Sequence, residues 1–368
     1  MRFKNTDGLP DPLVSDTGEP IVSPKSWNEQ QRPHLLELFR TQVYGKMPVG
    51  RPDNLTFEIK STAGVLEGKA VCKQIAVHFE GPGGKGGFLF HLFLPTVSDK
   101  PVPAFLCIGH RDRSDSDPTD QDSGFLPVSR IIERGYAAAV FNVNQVAPDR
   151  NGAFETGVHA VFDTHRNAQS WGTLSAWAWA CSRVMDYFET DADIDLHRVA
   201  VVGHSRGGKA ALWCGAEDTR FALVISNDSG CSGAAVTRGK LGEQIAGITG
   251  AFPYWFCENY KLYADNTDDL PVDQHELIAL IAPRSVYVAS ATEDTWSDPE
   301  NEFLACVHAG PVFQLFGLNG VGSTHMPEPE KPLREGSIGY HLRTGRHDLT
   351  PYDWDCFMNF ADKPGMLK

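Results

Sequence analysis

The apolar positions of this chain form two kinds of pattern. From Leu55 to about residue 95, runs of β-branched and aromatic residues are separated by glycine and proline, with a turn in "EGPGGKGG". This pattern predicts antiparallel strands. Further along, short continuous apolar runs bounded by polar residues or glycine predict strands that are buried on both faces. These runs are "VPAFLCIG", "YAAAVFNV", "RVAVVG", "FALVISND", "RSVYVASA" and "VFQLFG".

Helical patterns lie between the buried runs, in "DSGFLPVSRIIERG", "TLSAWAWACSRVMDYFE" and "RGGKAALWCGA". Strands that alternate with helices indicate a mostly parallel sheet covered on both faces. An antiparallel start followed by parallel strands is the layout of the α/β-hydrolase fold. We therefore predict an α/β, three-layer sandwich with a mostly parallel central sheet and antiparallel N-terminal strands.

Two segments fall outside this alternation. Residues 1–50 are polar and rich in proline except for "RPHLLELFRTQVYG", which predicts a short amphipathic helix that packs on the body. Residues 229–280 are rich in glycine and aromatic residues, and we interpret them as an excursion that forms part of a pocket rim. A plain helical cap would explain the same pattern. We expect residues 1–368 to form a single catalytic domain that includes both segments.

Composition narrows the class of protein. The 368 residues are 41% hydrophobic, which suffices for a substantial core, and the formal net charge is -14. Nucleic acids and anionic membranes are bound by clustered basic residues, so we expect neither as a partner. No stretch has the length and apolarity of a membrane span, and the start lacks the apolar region of a signal peptide. We expect a secreted or periplasmic protein if a signal peptide has been removed, and the cytoplasm stays open as the alternative location.

The eight cysteines occur singly, without the paired spacing of a structural zinc site. Several lie in apolar runs such as "AFLCIG" and "ALWCG", which favours buried free thiols. One or two disulfides remain an alternative.

The candidate nucleophile is Ser205 in Gly203-His204-Ser205-Arg206-Gly207, which matches G-x-S-x-G. The match lies between a predicted strand and a predicted helix, the context in which this motif forms a nucleophile elbow. Small residues on both sides let strand and helix approach closely enough to present the hydroxyl. The backbone amide of Arg206 would then serve as an oxyanion donor.

A serine nucleophile needs a base, and the base needs an acid. In this fold the chain order is serine, acid, histidine. His347 follows the last predicted strand and precedes a final helical pattern, so we favour it over His325 in "GSTHMPEP". Asp294 follows the penultimate predicted strand, the usual place for the acid, and Asp228 follows the strand before it. We favour Asp294, and Asp228 stays open as the alternative.

Five segments resemble, in order, the glucuronoyl esterases of carbohydrate esterase family 15, particularly the bacterial branch. They are "WGTLSAWAWACSRVMDYFE", "GHSRGGKAALWCGA", "FALVISNDSGCSGAA", "DQHELIALIAPRSVYVASATEDTW" and the late "GRHD". The resemblance extends over most of the chain from about residue 9, and "HSRGGK" is far more specific than G-x-S-x-G.

The resemblance implies a metal-independent serine esterase without a cofactor. Its substrate would be the ester between 4-O-methyl-glucuronic acid of glucuronoxylan and alcohols of lignin. It marks Ser205 as nucleophile, His347 as base and Arg206 as an added oxyanion stabiliser. Lys209 and Trp296 would contact the sugar. Members of the family carry the acid at one of two places, and this chain is acidic at both, so the resemblance does not choose between them.

This chain departs from the fungal members at two points. Those have a cysteine before the nucleophile joined to one after the catalytic histidine, whereas this chain has His204 and Asp348. Their sugar-binding glutamine and glutamate lie in the excursion, where Glu243 and Gln244 are the candidates here.

Two other functions fit the same residues. An acetyl xylan esterase or a broad carboxylesterase would use the same triad without a uronate pocket. A non-catalytic carbohydrate-binding protein on a hydrolase scaffold would not need the triad. We expect a monomer, with the polysaccharide ester as its partner.

Overall fold

A nine-stranded sheet forms the centre of the computed structural model, which describes residues 8–98, 100–111 and 124–363. Residues 1–7 of the predicted extension and residues 122–123 of one helical pattern lie outside these ranges. The strands stand in the order β1-β2-β3-β5-β4-β6-β7-β8-β9. Their bounds are β1 Thr56–Val65, β2 Ala70–Gly81, β3 Gly84–Pro95, β4 Val102–Gly109, β5 Ala137–Asn142, β6 Ile194–His204, β7 Leu223–Asn227, β8 Ser285–Ala291 and β9 Ile338–Arg343.

The strand pairing in the sheet changes once, from antiparallel to parallel. β1, β2, β3 and β5 pair antiparallel to one another in that order, and every pair from β5 to β9 is parallel. This arrangement confirms the predicted α/β-hydrolase layout. In β4, Phe105 and Cys107 contribute to one core, and Leu106 and Ile108 contribute to another. Since side chains alternate across a strand, the sheet is buried on both faces.

Helices cover both faces, and in the described part of the chain none is long and apolar enough to cross a bilayer. The α-helices are α1 Pro24–Ser26, α2 Arg32–Gln42, α3 Val128–Glu133, α4 Val143–Val146, α5 Gly157–Phe162, α6 Thr173–Phe188, α7 Arg206–Glu217, α8 Ile245–Ala251, α9 Gln274–Ala279, α10 Pro299–Leu315 and α11 Pro351–Ala361. A π-helix, Trp27–Gln31, joins α1 to α2. Short 3-10 helices span Leu66–Gly68, Ala153–Glu155, Glu258–Tyr263 and Thr267–Asp269.

The prediction of a strand at "VFQLFG" is wrong. Residues 312–315 end α10, which begins at Pro299 with the Asp298 side chain as its N-terminal cap. The helix buries apolar side chains around much of its circumference, and a short apolar run of that kind cannot be distinguished from a buried strand by periodicity. The last strand is β9, which lies outside the predicted runs.

The helical N-terminal segment is tied to the body of the protein. The Arg32 guanidinium donates to the carbonyl oxygens of Ala216 at 2.7 Å and Leu280 at 3.1 Å. Arg40 forms an ion pair with Glu217 at 2.5 Å. The buried side chains of α2 are Leu35, Leu36 and Phe39.

All eight cysteines lie within the described residues, and all are buried and free. The expectation of buried thiols is confirmed, and the alternative of one or two disulfides is wrong. Burial raises the pKa of Cys72, Cys231 and Cys257 to about 11, so these thiols stay protonated at neutral pH.

Candidate active site

Ser205 directly follows β6 and directly precedes α7. Its backbone has φ 54° and ψ -126°, a conformation that costs a non-glycine residue on the order of 1–3 kcal/mol. The Ser205 amide donates to the carbonyl of Asn227 at 2.8 Å, and its carbonyl accepts from the amide of Gly208 at 2.9 Å. Hydrogen bonds to β7 and to α7 therefore hold the strained turn, which has the form of a nucleophile elbow.

Space requires a glycine at position 203 of the motif and leaves little room for a side chain at position 207. A Cβ atom at Gly203 would lie 2.0 Å from the carbonyl oxygen of Gly207, a backbone atom. A Cβ atom at Gly207 would lie 3.3 Å from the Ile108 carbonyl oxygen and 3.4 Å from His110 Nδ1. Strand and helix thus approach each other at the elbow as closely as glycine permits.

The parallel strands gather the predicted residues at one edge of the sheet. Ser205 and Asp228 follow β6 and β7 immediately, Asp294 is the third residue after β8, and His347 is the fourth after β9. The carboxyl ends of parallel strands meet at the same edge, where ligands bind in open α/β sheets.

His347 and Asp294 form a hydrogen bond. The Nδ1–H of His347 donates to Asp294 Oδ2 at 2.6 Å, and Asp294 Oδ1 accepts from the amide of Ser297 at 3.2 Å. Burial alone would raise the pKa of Asp294, but the bonds from His347 and Ser297 outweigh it and the net pKa lies below the ordinary value. An ionised acid thus fixes the tautomer that leaves His347 Nε2 free to accept a proton.

Asp228 is buried close to the same imidazole but faces another cation. Its Oδ2 accepts from Arg343 Nη2 at 3.4 Å and from the Asp348 amide at 3.3 Å. Burial, followed by the charges of Glu302 and two neighbouring aspartates, raises its pKa well above the usual range, with Arg343 opposing. Asp228 therefore holds a proton more strongly than Asp294.

Asp228, Asp294 and His347 are also the one group in the described ranges whose ligand atoms lie close enough for a metal ion, all within 4.8 Å of one another. Two carboxylates and an imidazole suit several divalent ions. The bond between His347 Nδ1 and Asp294 accounts for the closeness of that pair by itself, so we assign no metal role to the group.

Two neutral histidines lie beside His347. The ring of His204 packs on His347 with centroids 4.5 Å apart and on His110 at 5.9 Å, and its Nδ1–H donates to Asn227 Oδ1 at 2.6 Å. Burial, then the neighbouring histidines, lowers the pKa of His204 well below its usual value. Burial and the charge of Arg206 lower the pKa of His110 to about 3. At the place of the fungal cysteine, an uncharged imidazole thus contacts His347.

Arg206 lies in a cage on one side of the elbow. Its Nη1 donates to Asp149 Oδ2 at 2.5 Å, and its guanidinium carbon lies 4.8 Å from the ring centroid of Trp255 and 5.2 Å from that of Phe252. The two rings are stacked at 3.8 Å. The guanidinium is therefore held by a carboxylate and by aromatic faces.

Lys209 lies one helical turn beyond Ser205 and is buried. Its Nζ donates to the carbonyl oxygens of Ser229 at 2.7 Å and Cys231 at 2.6 Å and to Glu243 Oε2 at 2.8 Å. These bonds use all three ammonium protons. Lys209 therefore binds the start of the excursion and orients Glu243.

The other predicted sugar contacts differ in placement. The Trp296 carbonyl accepts from the Glu243 amide at 2.9 Å, and the Trp296 side chain is 60% exposed. Core packing therefore does not explain Trp296. The side chain of Gln244 is exposed, and its amide donates only to the Lys240 carbonyl, at 3.5 Å, in the part of the chain that the structure describes. His325 is exposed and bonds to neighbouring residues of its own loop.

Two residues that contact the predicted site residues or their loops are absent from the sequence predictions. Glu302, fully buried in α10, accepts from the amides of Ser229 at 2.8 Å and Gly230 at 2.9 Å and from the Ser290 hydroxyl at 2.6 Å. It thereby fixes the loop that carries Asp228. Asp149 is the second, and its one sequence signal is its place beyond the carboxyl end of a predicted strand.

Comparisons with known proteins identify the family of the chain. A family model described as "Glucuronyl esterase, fungi" matches residues 78–317. A protein named carbohydrate esterase MZ0003, from an unknown prokaryotic organism, is 39% identical over 386 residues, which cover 96% of this chain and 89% of that protein.

Two solved structures have the same fold at similar identity. The glucuronoyl esterase from Solibacter usitatus superposes with a TM-score of 0.90 at 38% identity, covering 96% of this chain and 97% of its own. A structure described as a promiscuous CE15 esterase from the marine bacterial metagenome has a TM-score of 0.88 at 40% identity, with 96% of each chain covered. The chain therefore belongs to the glucuronoyl esterases of carbohydrate esterase family 15 and is a carboxylic ester hydrolase.

Proposed function

We propose that this enzyme hydrolyses esters between (4-O-methyl-)glucuronic acid of glucuronoxylan and alcohols of lignin through an acyl-enzyme on Ser205. The observation that carries the proposal is the convergence on one elbow of the His347–Asp294 pair, the caged Arg206, and the Lys209–Glu243 pair. The first two groups supply ester hydrolysis, and the third supplies polar recognition of a sugar beside the reacting carbonyl.

The reaction proceeds in two steps, formation of the acyl-enzyme and its hydrolysis. Ser205 Oγ attacks the uronoyl carbonyl while His347 Nε2 takes its proton, and Asp294 stabilises the imidazolium that results. His347 then gives the proton to the departing alcohol oxygen. Water repeats the sequence at the acyl-enzyme, which releases the uronic acid and restores Ser205.

Charge that develops on the carbonyl oxygen is stabilised by the Arg206 amide and guanidinium. A fixed donor at such a site lowers the barrier by about 3 to 4 kcal/mol. The cage of carboxylate and aromatic rings keeps the guanidinium in place before the reaction begins, so little reorganisation is needed.

We further propose that Glu243 and Trp296 contact the pyranose. Trp296 offers an exposed aromatic ring for the apolar face of the sugar, and Glu243 accepts from its hydroxyls. Lys209 acts through Glu243, because its own three protons are already committed.

The test compares benzyl glucuronate with acetylated xylan as substrates. We expect faster turnover of the glucuronate and an increase of about tenfold in KM for the glucuronate alone in Trp296→Ala, the effect of losing uniform binding. Faster acetyl release in the wild type would contradict the uronate assignment. Ser205→Ala should remove turnover of both substrates, and retained turnover in that variant would exclude the acyl-enzyme.

A broad carboxylesterase is the second candidate, because a structure 40% identical to this chain is described as a promiscuous esterase. It differs from the first candidate in having no preference for the glucuronate ester. Equal values of kcat/KM for the two substrates, both unaffected by Trp296→Ala, would establish it.

A further inference from the structure

We propose that Asp149 is a positioning residue that fixes the guanidinium of Arg206 for its work at the carbonyl oxygen. This inference rests on the proposed role of Arg206. Asp149 is far from the motif in sequence and follows α4, yet its carboxylate reaches the elbow.

Asp149 uses both carboxylate oxygens. Oδ2 accepts from Arg206 Nη1 at 2.5 Å, and Oδ1 accepts from the indole N–H of Trp255 at 2.7 Å. Burial, followed by the charge of Asp149, raises the pKa of the nearby Tyr254 hydroxyl to about 12. The side chain of Asp149 is only 10% exposed, so water competes little for these bonds.

Asp149 and Trp255, two of the three groups that hold Arg206, lie on segments that are hydrogen-bonded to the same helix, α6. The indole N–H of Trp177 donates to the Ala147 carbonyl at 2.9 Å, which holds the segment that carries Asp149. The amides of Thr173 and Leu174 donate to the carbonyls of Tyr254 and Trp255, at 2.9 Å and 3.3 Å. The start of α6 therefore sets the width of the cage.

The cage leaves part of the guanidinium available. An arginine carries five N–H donors in a planar fork, and Asp149 engages the Nη1 end. The Arg206 side chain stays 29% exposed, whereas its Nε atom is buried and has no hydrogen-bond partner among the described residues. A free arginine side chain would lose about 2 kcal/mol of rotamer entropy when it is held in place. Asp149 imposes that order in advance, as preorganised stabilisation requires.

A carboxylate beside Arg206 could have the opposite effect, because its charge weakens the positive field at the carbonyl oxygen. The two effects predict opposite results for Asp149→Asn, which keeps the shape and removes the charge. Positioning predicts a lower kcat, and charge compensation predicts a higher one.

The experiment measures kcat and KM on benzyl glucuronate for the wild type, Asp149→Asn, Arg206→Ala and the double variant. We expect Asp149→Asn to lower kcat about 10- to 50-fold with little change in KM, the signature of an interaction made in the transition state. In the Arg206→Ala background the same substitution should change kcat by less than about threefold, because residues that act as a unit are not additive.

A matched control separates positioning from folding. Glu217 pairs with Arg40 at the same 2.5 Å, and its side chain is 12% exposed, close to the 10% of Asp149. Glu217→Gln should lower the melting temperature without lowering kcat. Trp255→Phe removes the indole N–H that bonds to Asp149, together with part of the aromatic face beside Arg206, and should lower kcat a few-fold, again only when Arg206 is present.

The outcomes are distinguishable. An unchanged or higher kcat in Asp149→Asn would overturn the inference, as would an equal loss from that substitution in both backgrounds. If Arg206→Ala alone leaves kcat unchanged, the proposed role of Arg206 is wrong and the inference falls with it.

Discussion

The choice between Asp294 and Asp228 as the acid gives the sharpest prediction. Asp294→Asn preserves the shape of the side chain and removes the charge that faces His347 at 2.6 Å. In the transition state His347 is an imidazolium, so the variant loses an attraction between two unit charges. At an effective dielectric constant of about 20 and a charge separation of about 4 Å, that attraction is about 4 kcal/mol. We therefore expect kcat to fall about 10³-fold.

Asp228→Asn should have a much smaller effect. Its carboxylate faces Arg343, and burial holds its pKa above the usual range, so it contributes less negative charge at the imidazole. We expect a loss in kcat within about tenfold, because the lost charge is already partly neutralised.

The assay is kcat on benzyl glucuronate at about pH 8, above the ordinary pKa of histidine, with the melting temperature of each variant as a check on folding. Asp348→Asn is the control, because this half-exposed carboxylate is next to His347 in sequence but pairs with Arg111 at 2.8 Å. It should stay within about twofold of the wild type. A larger loss in Asp228→Asn than in Asp294→Asn would refute the reasoning.

Two further predictions concern stability. Gly203→Ala places a Cβ atom 2.0 Å from the Gly207 carbonyl oxygen and should destabilise the fold by about 3 kcal/mol or more in thermal unfolding. Gly247→Ala is the control, because its Cβ atom would have nothing within 4 Å, and it should be neutral or stabilising. Equal melting temperatures for the two variants would contradict this prediction. Burial lowers the pKa of His341, but its bond to Asp353, its interactions with Cys356 and the charge of Asp353 together outweigh burial and raise the pKa to about 9. Since the pKa of His341 in the folded state lies above that in the unfolded state, the histidine contributes about 3 kcal/mol to the free energy of unfolding below pH 6.5, and this contribution is lost as the pH rises through 9. Denaturant unfolding of His341→Gln across that range should lack this loss. An unchanged pH dependence of the unfolding free energy in the variant would disprove it.

The gathering of the site could be predicted from the sequence because it depends on topology. Residues that follow parallel strands meet at one edge whatever the details of packing, and this rule brings Ser205 and Asp294 together. The apolar pattern assigns His347 to the same edge from a predicted strand that is in fact the end of α10, and it is β9 that carries it there. The choice of acid depends on side-chain direction instead. Asp228 has φ 45° and faces Arg343, which ends β9, the strand that the pattern of apolar runs did not identify.

The sugar contacts in the excursion, residues 229–280, could not be predicted for a different reason. Helical periodicity places Lys209 on the face of Ser205, but residues 229–280 follow no period that could say which of their side chains return to that face. Neighbours in such a segment behave independently: Glu243 bonds to Lys209, whereas Gln244 is exposed. Only the three-dimensional path of the segment distinguishes them.

The site also shows a regular arrangement of charge that no local motif reveals. Three cations near the elbow contact carboxylates within the described residues: Arg206 contacts Asp149, Lys209 contacts Glu243, and Arg343 lies between Asp228 and Asp353. Removing one partner of a largely buried ion pair leaves an uncompensated charge. The stability lost in this way is greater than the stability that the intact pair contributes. The pairs therefore act as fixed dipoles that lock the orientation of each cation. It follows that substitutions of the carboxylates should disturb catalysis through the geometry of their partners, and that their effects should disappear once the partner is removed.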